Sequence, residues 1–265
     1  MDTARIAQLL QPFLRAPIAV PISPCHSEPT PAGSDSCHSE TAQAVSDSCH
    51  SEPAPAGEEP AVPSPAQLHL ISTYIDILLR WNARINLTAI RDPEDIVTRH
   101  FGESLLAARH LFPVSSSVSS VSCVVKAPDS LADIGSGAGF PGLPIKLWAP
   151  HISLTLIESN HKKAAFLREV ARALTLTNIN IQNARAESGT ATFDTVTLRA
   201  VERFEHILPT AAALVAPTGR LALLISSAQC DQAVSILPHF RWSIPVPVPQ
   251  SSSRILLVGF ARKAD

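Results

Sequence analysis

At 265 residues, with 45% hydrophobic and 17% charged side chains, the chain can bury a sizeable core and is expected to hold one large domain or one domain with an appendage. Its longest apolar stretches, residues 221–225 and 255–261, fall well short of the roughly 18 residues of a membrane span, and polar residues interrupt the first turns where a secretory signal would be continuous, so no membrane partner and a cytoplasmic location are expected. The net charge of −2 averages unlike parts: residues 1–65 carry two basic and eight acidic side chains, leaving 19 basic against 15 acidic in the remainder, a balance of +4 that permits contact with phosphates without requiring it.

Residues 4–15 place Ile6, Leu9, Leu10 and Phe13 at helical spacing before Pro12 and Pro17, which predicts a short docking helix over residues 1–15. From residue 16 to 65 the composition shifts to Pro, Ser, Ala and Glu. Ser-Asp-Ser-Cys-His-Ser-Glu at 34–40 recurs at 46–52, and eleven of the 23 prolines fall within the first 65 residues, so this segment is expected to be a disordered insertion. Its three Cys-His pairs (Cys25/His26, Cys37/His38, Cys49/His50) offer zinc-type ligands, but adjacent ligands every twelve residues are better read as a duplicated low-complexity tract, and no metal site is expected. Five cysteines, an odd number with three inside that repeat, do not form a disulfide framework.

A helical cap is expected over 66–112. Leu68, Ile71, Ile75, Leu78 and Leu79 form an apolar stripe ending near Trp81-Asn82, a turn follows at Asn86-Leu-Thr88, and Asp92-Pro93 supplies an N-cap and a first-turn proline for a helix through Ile96, Val97 and His100. Arg99 and His100 are candidate RNA contacts, the alternative being a surface arginine beside a half-buried histidine. Residues 113–130 are a Ser/Val-rich tract, read as an insertion in which 121–125 is a candidate extra strand.

Residues 131–142, Leu-Ala-Asp-Ile-Gly-Ser-Gly-Ala-Gly-Phe-Pro-Gly, read as a strand ending in an acid and turning into closely spaced glycines that let a ligand approach the backbone. A dinucleotide fingerprint needs Gly-x-Gly-x-x-Gly, and Phe140 stands where its last glycine belongs, so the pattern is Asp-x-Gly-x-Gly-x-Gly. A helix from Leu143 and a second strand at 152–157 follow, ending at Glu158, 23 residues beyond Gly135, where a doubly wound sheet brings a carboxylate to a nucleoside ribose. Residues 160–174 form an amphipathic helix whose outer face carries Lys162, Lys163, Arg168 and Arg172, either a phosphate-contacting patch or a solvated face. Strands are expected at 179–182, 193–200 and 219–226, and 240–246 and 255–262 can pair antiparallel at the C-terminal edge.

The glycine loop resembles motif I of methyltransferases that use S-adenosylmethionine. Together with Leu79-Arg-Trp-Asn-x-x-x-Asn-Leu-Thr-x-x-Arg-Asp-Pro and Arg99-His100-x-x-Glu-Ser104, it resembles the RsmG (GidB) family of bacterial 16S rRNA methyltransferases over residues 66–265, apart from 113–130. That resemblance implies a Rossmann-like α/β fold of class I, with a mostly parallel seven-stranded sheet, an antiparallel C-terminal hairpin and the N-terminal helical cap. It implies S-adenosylmethionine as cofactor, held by Asp133, Gly135, Gly137, Phe140, Glu158, Ala186, Glu187 and Arg199, with Arg199 also orienting the target, or else forming a salt bridge at the sheet edge. It implies 16S rRNA in the small ribosomal subunit as partner and N7 of a guanine in the 530 loop as acceptor; Lys162 and Lys163, on the basic face noted above, are further candidate RNA contacts. The family's serine before that arginine is Leu198 here, and its Lys-Gly pair after the fifth strand is Ile225-Ser226.

The residues are consistent with N7 as acceptor. Methylating a base carbon usually needs a cysteine, yet Cys123 lies in an insertion and Cys230 beyond strand five; methylating an exocyclic amine goes with an Asn/Asp-Pro-Pro-aromatic loop where this chain reads Leu198-Arg-Ala-Val201. Guanine N7 has a free lone pair and needs no general base. A methyltransferase of this fold acting on a protein or small molecule, and a non-catalytic ribosome-binding module, stay open as alternatives, and a monomer is expected.

Overall fold

The computed structural model describes residues 1–17, 62–113, 129–200 and 203–262. The repeated Cys-His tract, Cys123 and the candidate strand at 121–125 lie outside the described residues.

Strands β1 (Ser130–Ile134), β2 (Ser153–Ile157), β3 (Ile179–Gln182), β4 (Phe193–Arg199) and β5 (Val215–Ser226) pair in parallel in the order β3-β2-β1-β4-β5. Beyond β5 the short strands β6 (Arg241–Trp242) and β7 (Val246–Pro247) both pair antiparallel with β8 (Arg254–Phe260), which itself runs antiparallel to β5. The sheet therefore has the expected doubly wound order with an antiparallel edge, and eight strands among the described residues where seven were expected. The extra strand arises because Pro245 has no N–H to donate, so the single strand expected over 240–246 is split into two short pieces on the same partner.

The strands are apolar on both faces because helices cover both. Alternate β1 side chains divide between two cores: Leu131 faces helices α5 (Gly142–Trp148) and α6 (His161–Ala173), while Ala132 and Ile134 face α7 (Phe204–Ala213) and α8 (Cys230–Ile236). The order reverses between β1 and β4, and the carboxyl ends of these two strands open the crevice in which such sheets bind ligands.

The N-terminal helices are built on the first core. Helix α2 (Pro65–Asn82) begins with a reciprocal capping box between Ser64 and Gln67 and buries Leu68, Ile71, Tyr74, Ile75 and Leu78. It ends at Asn82, whose amide accepts from the N–H groups of Leu87 and Thr88 and donates to the Thr88 carbonyl, which fixes the turn expected at 86–88. Asp92 then caps α3 (Pro93–Ile96) through Glu94 N and Asp95 N, at 2.9 and 3.0 Å. The helix widens to a π-helical turn at Val97–Gly102 before resuming as α4 (Glu103–Leu111), an irregularity that the apolar spacing did not disclose.

Helix α1 (Thr3–Arg15) docks against this unit. Pro12 does not end it; the proline ring suits helical φ, and only the bond to the carbonyl of exposed Gln8 is lost. Arg5 grips Glu94 with two bonds of 2.8 and 2.7 Å, and buried Arg109 donates to the carbonyls of Phe13 and Ala16 at the helix end. The Phe13 ring rests on Gly102, where an added Cβ would sit 2.5 Å from the ring edge.

Candidate functional site

The glycine loop leaves β1 under strong constraint. Gly135, Gly137 and Gly139 all have left-handed φ, at 65°, 55° and 86°. At Gly139 the space is also full, since a Cβ would meet the Tyr74 hydroxyl at 2.4 Å and Leu143 at 2.5 Å. Gly137 differs: the nearest atom to its Cβ position is the Gly135 carbonyl oxygen at 3.7 Å, so this backbone faces open space that a ligand can enter.

The acid that opens the motif does not face that space. Asp133 is 1% exposed; its Oδ1 accepts from the Thr197 hydroxyl at 2.8 Å and its Oδ2 from the Gly142 N–H at 3.3 Å. It thereby ties β1, β4 and the start of α5 together. Burial pushes its pKa up to about 6, against the pull of the hydrogen bonds from Thr197, Gly142 and Ser136. Phe140 also points inward, 5% exposed, its ring stacked on Tyr74 at 5.4 Å and on His100 at 4.7 Å. Any contribution Phe140 makes to a ligand passes through its backbone and its packing.

Glu158 stands at the end of β2, opposite the loop. Its two oxygens accept the N–H groups of Gly137 at 2.9 Å and Asn160 at 2.7 Å, and each retains a lone pair for a hydroxyl donor. Asn183 donates to the Glu158 and Ser159 carbonyls, both at 2.9 Å, holding the start of the next loop beside it. In that loop Ala186 is buried and Glu187 exposed, on a 3₁₀ turn at Ala186–Ser188. The expected cradle residues Gly135, Gly137, Glu158 and Ala186 thus lie at the carboxyl ends of β1 to β3. Its fit to an adenosyl ligand rests on the open side of Gly137 and the carboxylate beside it.

Arg199 ends β4 and is almost enclosed. Its Nε and Nη2 donate to Glu103 Oε2 at 3.2 and 2.9 Å, and Nη2 also reaches the Arg99 carbonyl at 2.6 Å and His100 Nδ1 at 3.1 Å. Since Nδ1 accepts, the His100 proton sits on Nε2 and is donated to the Thr88 hydroxyl, 2.9 Å away. Burial, then the charges of Arg199, Arg254 and Arg99, push the His100 pKa down to about 3. The histidine is 7% exposed and neutral, so it does not present itself to RNA as expected; its ring lies inward, stacked on Phe140. Arg99 remains exposed. Lys162 is exposed and Lys163 half-buried on α6, apart from this network.

Past Arg199 a cavity of about 680 Å³ opens at the carboxyl ends of β4 and β5, lined by Arg99, Glu103, Arg199, Ser226, Gln229 and Arg254 among others. Leu198 and Ile225, the departures from the resembled family, both line it, and among the described residues no cysteine does. Spacing reasoning missed Tyr74, Thr197, Glu103 and Arg254. Glu103 was visible four residues after Arg99 on one helix, but no local pattern marks Arg254 on the last strand.

The model of the family described as "GidB: rRNA small subunit methyltransferase G" matches residues 67–236. A protein named ribosomal RNA small subunit methyltransferase G from Xylella fastidiosa (strain 9a5c) is 35% identical over 191 residues, 70% of this chain and 82% of that protein. Its namesake from Xanthomonas campestris pv. campestris (strain 8004) is 38% identical over 182 residues, 66% of this chain and 78% of that one. Among solved structures, a ribosomal protein L11 methylase from Lactobacillus delbrueckii subsp. bulgaricus aligns with a TM-score of 0.47 at 16% identity, covering 63% of this chain and 79% of that one.

Proposed function

This chain belongs to the rRNA small subunit methyltransferase G family, and from that premise we propose that it transfers the methyl group of S-adenosylmethionine to N7 of a guanine in the 530 loop of 16S rRNA. The observation that supports this reading is the position of Arg199: it ends the strand between the open-sided glycine loop and the cavity at β4 and β5, as a side chain serving both a cofactor and an acceptor would.

Gly135 and Gly137 give backbone approach to the cofactor, and the free lone pairs of Glu158 accept the ribose hydroxyls. Asp133 fixes the loop from below, and Ala186 and Glu187 lie where the adenine would be flanked. When bound, S-adenosylmethionine supplies an electrophilic methyl group on a sulfonium. What remains for the protein is alignment, since an in-line displacement gains most from holding two reactants in register. Arg199, fixed through Glu103, Arg99 and His100, orients the guanine at the boundary of the two sites. N7 needs no proton removed, and none of the residues described here is required as a base. Arg99, Lys162 and Lys163 supply phosphate contacts, and the base must be splayed out of its RNA to enter the cavity. Among the described residues no helix is long and apolar enough to cross a membrane.

The test is to incubate the protein and labelled S-adenosylmethionine with small ribosomal subunits lacking the modification, then map the label by cleavage at N7-methylguanine. One labelled guanine in the 530 loop, lost in Arg199→Ala, is the expected result. Label elsewhere, or transfer to a protein or small molecule instead, overturns the proposal.

A further inference from the structure

Glu103 is 2% exposed at the point where the π-helical turn gives way to α4, and it faces two cations from two strands. Its Oε2 accepts from Arg199 Nε and Nη2, while its Oε1 lies 3.4 Å from Arg254 Nε as an ion pair, so one carboxylate oxygen is hydrogen-bonded to Arg199 and the other faces the charge of Arg254. Arg199 ends β4 and Arg254 starts β8, and these strands are separated in the sheet by β5. Nothing in the backbone ladder brings the two guanidinium groups together. Left alone they would repel across a poorly solvated cavity wall, and a buried anion reaching both from the helical cap offsets that repulsion.

We infer that Glu103 is a positioning residue that clamps Arg199 and Arg254 as a paired cation on the wall of the acceptor cavity. The clamp fixes the plane of the Arg199 guanidinium through its Nε–H and Nη2–H and holds Arg254 beside it by charge, leaving other N–H groups of both for an electron-rich ligand such as a base edge or a phosphate oxygen. Arg254 thereby joins the acceptor site although it lies beyond residues 67–236, where the family model matches. The activity part of this inference rests on the function proposed above; the geometric part does not.

Two readouts test it. In protein labelled with ¹⁵N-arginine, the Nε–H signal of Arg199, assigned through Arg199→Lys, should exchange slowly with solvent in the wild type and rapidly in Glu103→Gln, which keeps the size and loses the charge. Methylation of small subunits should fall about 100-fold in kcat/KM in Glu103→Gln, the scale of an ångström-sized misplacement. Glu103→Asp, one methylene too short to reach both arginines, should recover only part of that loss, and it carries both readouts if the glutamine variant does not fold. In a cycle, Glu103→Gln combined with Arg254→Lys should lose no more than the worse single variant. Unchanged Nε–H exchange in folded Glu103→Gln overturns the clamp, and additive losses in the cycle overturn its part in the acceptor site. A wild type that fails to methylate small subunits rejects the proposed substrate instead, and the exchange measurement still decides the clamp.

Discussion

The rings of Tyr74 and Phe140 lie parallel, 5.4 Å apart with an interplanar angle of 1°, while the Tyr74 hydroxyl donates to the Ala138 carbonyl. One residue of the cap thus holds the glycine loop twice, by stacking on a side chain and by bonding to the backbone. Tyr74→Phe keeps the ring and leaves the Ala138 carbonyl without its donor, so it should cost about 1–3 kcal/mol of stability. It should also weaken S-adenosylmethionine binding, because the loop loses an anchor. Chemical denaturation and calorimetric titration of the two proteins measure both.

At Gly102 the fold depends on the absence of a side chain. A methyl group there would lie 2.5 Å from the buried Phe13 ring, which is packed between Leu106 and Val248. Gly102→Ala should destabilise by about 1–3 kcal/mol through overpacking, and Phe13→Leu in the same chain should return part of it. The urea midpoints of the two variants and the double variant give the comparison.

Two buried groups make stability depend on acid in opposite directions. His100 is held neutral with a pKa of about 3 against an ordinary 6.5, so between these values the unfolded chain binds more protons and stability falls as pH drops from 6.5. Asp133 has its pKa raised to about 6 from 3.8, so here the folded protein binds more protons and stability rises as pH drops through 6 towards 3.8. At about 1.4 kcal/mol per pH unit for each, the two slopes largely cancel near pH 5. His100→Gln should therefore make the protein gain stability from pH 7 to 5, and Asp133→Asn should make it lose stability over the same range. Thermal unfolding across that range reads both signs.

A substitution at Glu158 should separate cofactor binding from acceptor binding. Glu158→Ala removes the acceptor for Gly137 N and Asn160 N together with the proposed ribose contact, and should weaken S-adenosylmethionine binding by about 2 kcal/mol or more. Affinity for the small subunit should hardly change. Arg99→Ala or Lys162→Ala should do the reverse, weakening subunit binding and flattening its salt dependence by about one ion per residue. Filter binding at several salt concentrations, with and without cofactor, distinguishes the two classes.

Much of the site was written locally. The Asp-x-Gly-x-Gly-x-Gly loop, Glu158 after the second strand and Arg199 after the fourth were legible because a strand, a tight turn and a helix impose fixed residue types at fixed spacings. The helices of the cap were legible for the same reason, through Ser64, Asp92 and the apolar stripe of α2. The sequence by itself determined the order of strands and helices, the glycine cradle and the family.

Only the tertiary structure decided which of these side chains point into the core and which stay open. Asp133 and Phe140 turn into the core because Thr197 and Tyr74 meet them there, and His100 turns inward because Phe140, Thr88 and Arg199 meet it. The joining of Glu103 to Arg199 and Arg254 was equally unreadable. It links a helix to two strands separated by another in the sheet, and a contact across that distance depends on how the layers stack, which periodicity along the chain does not encode.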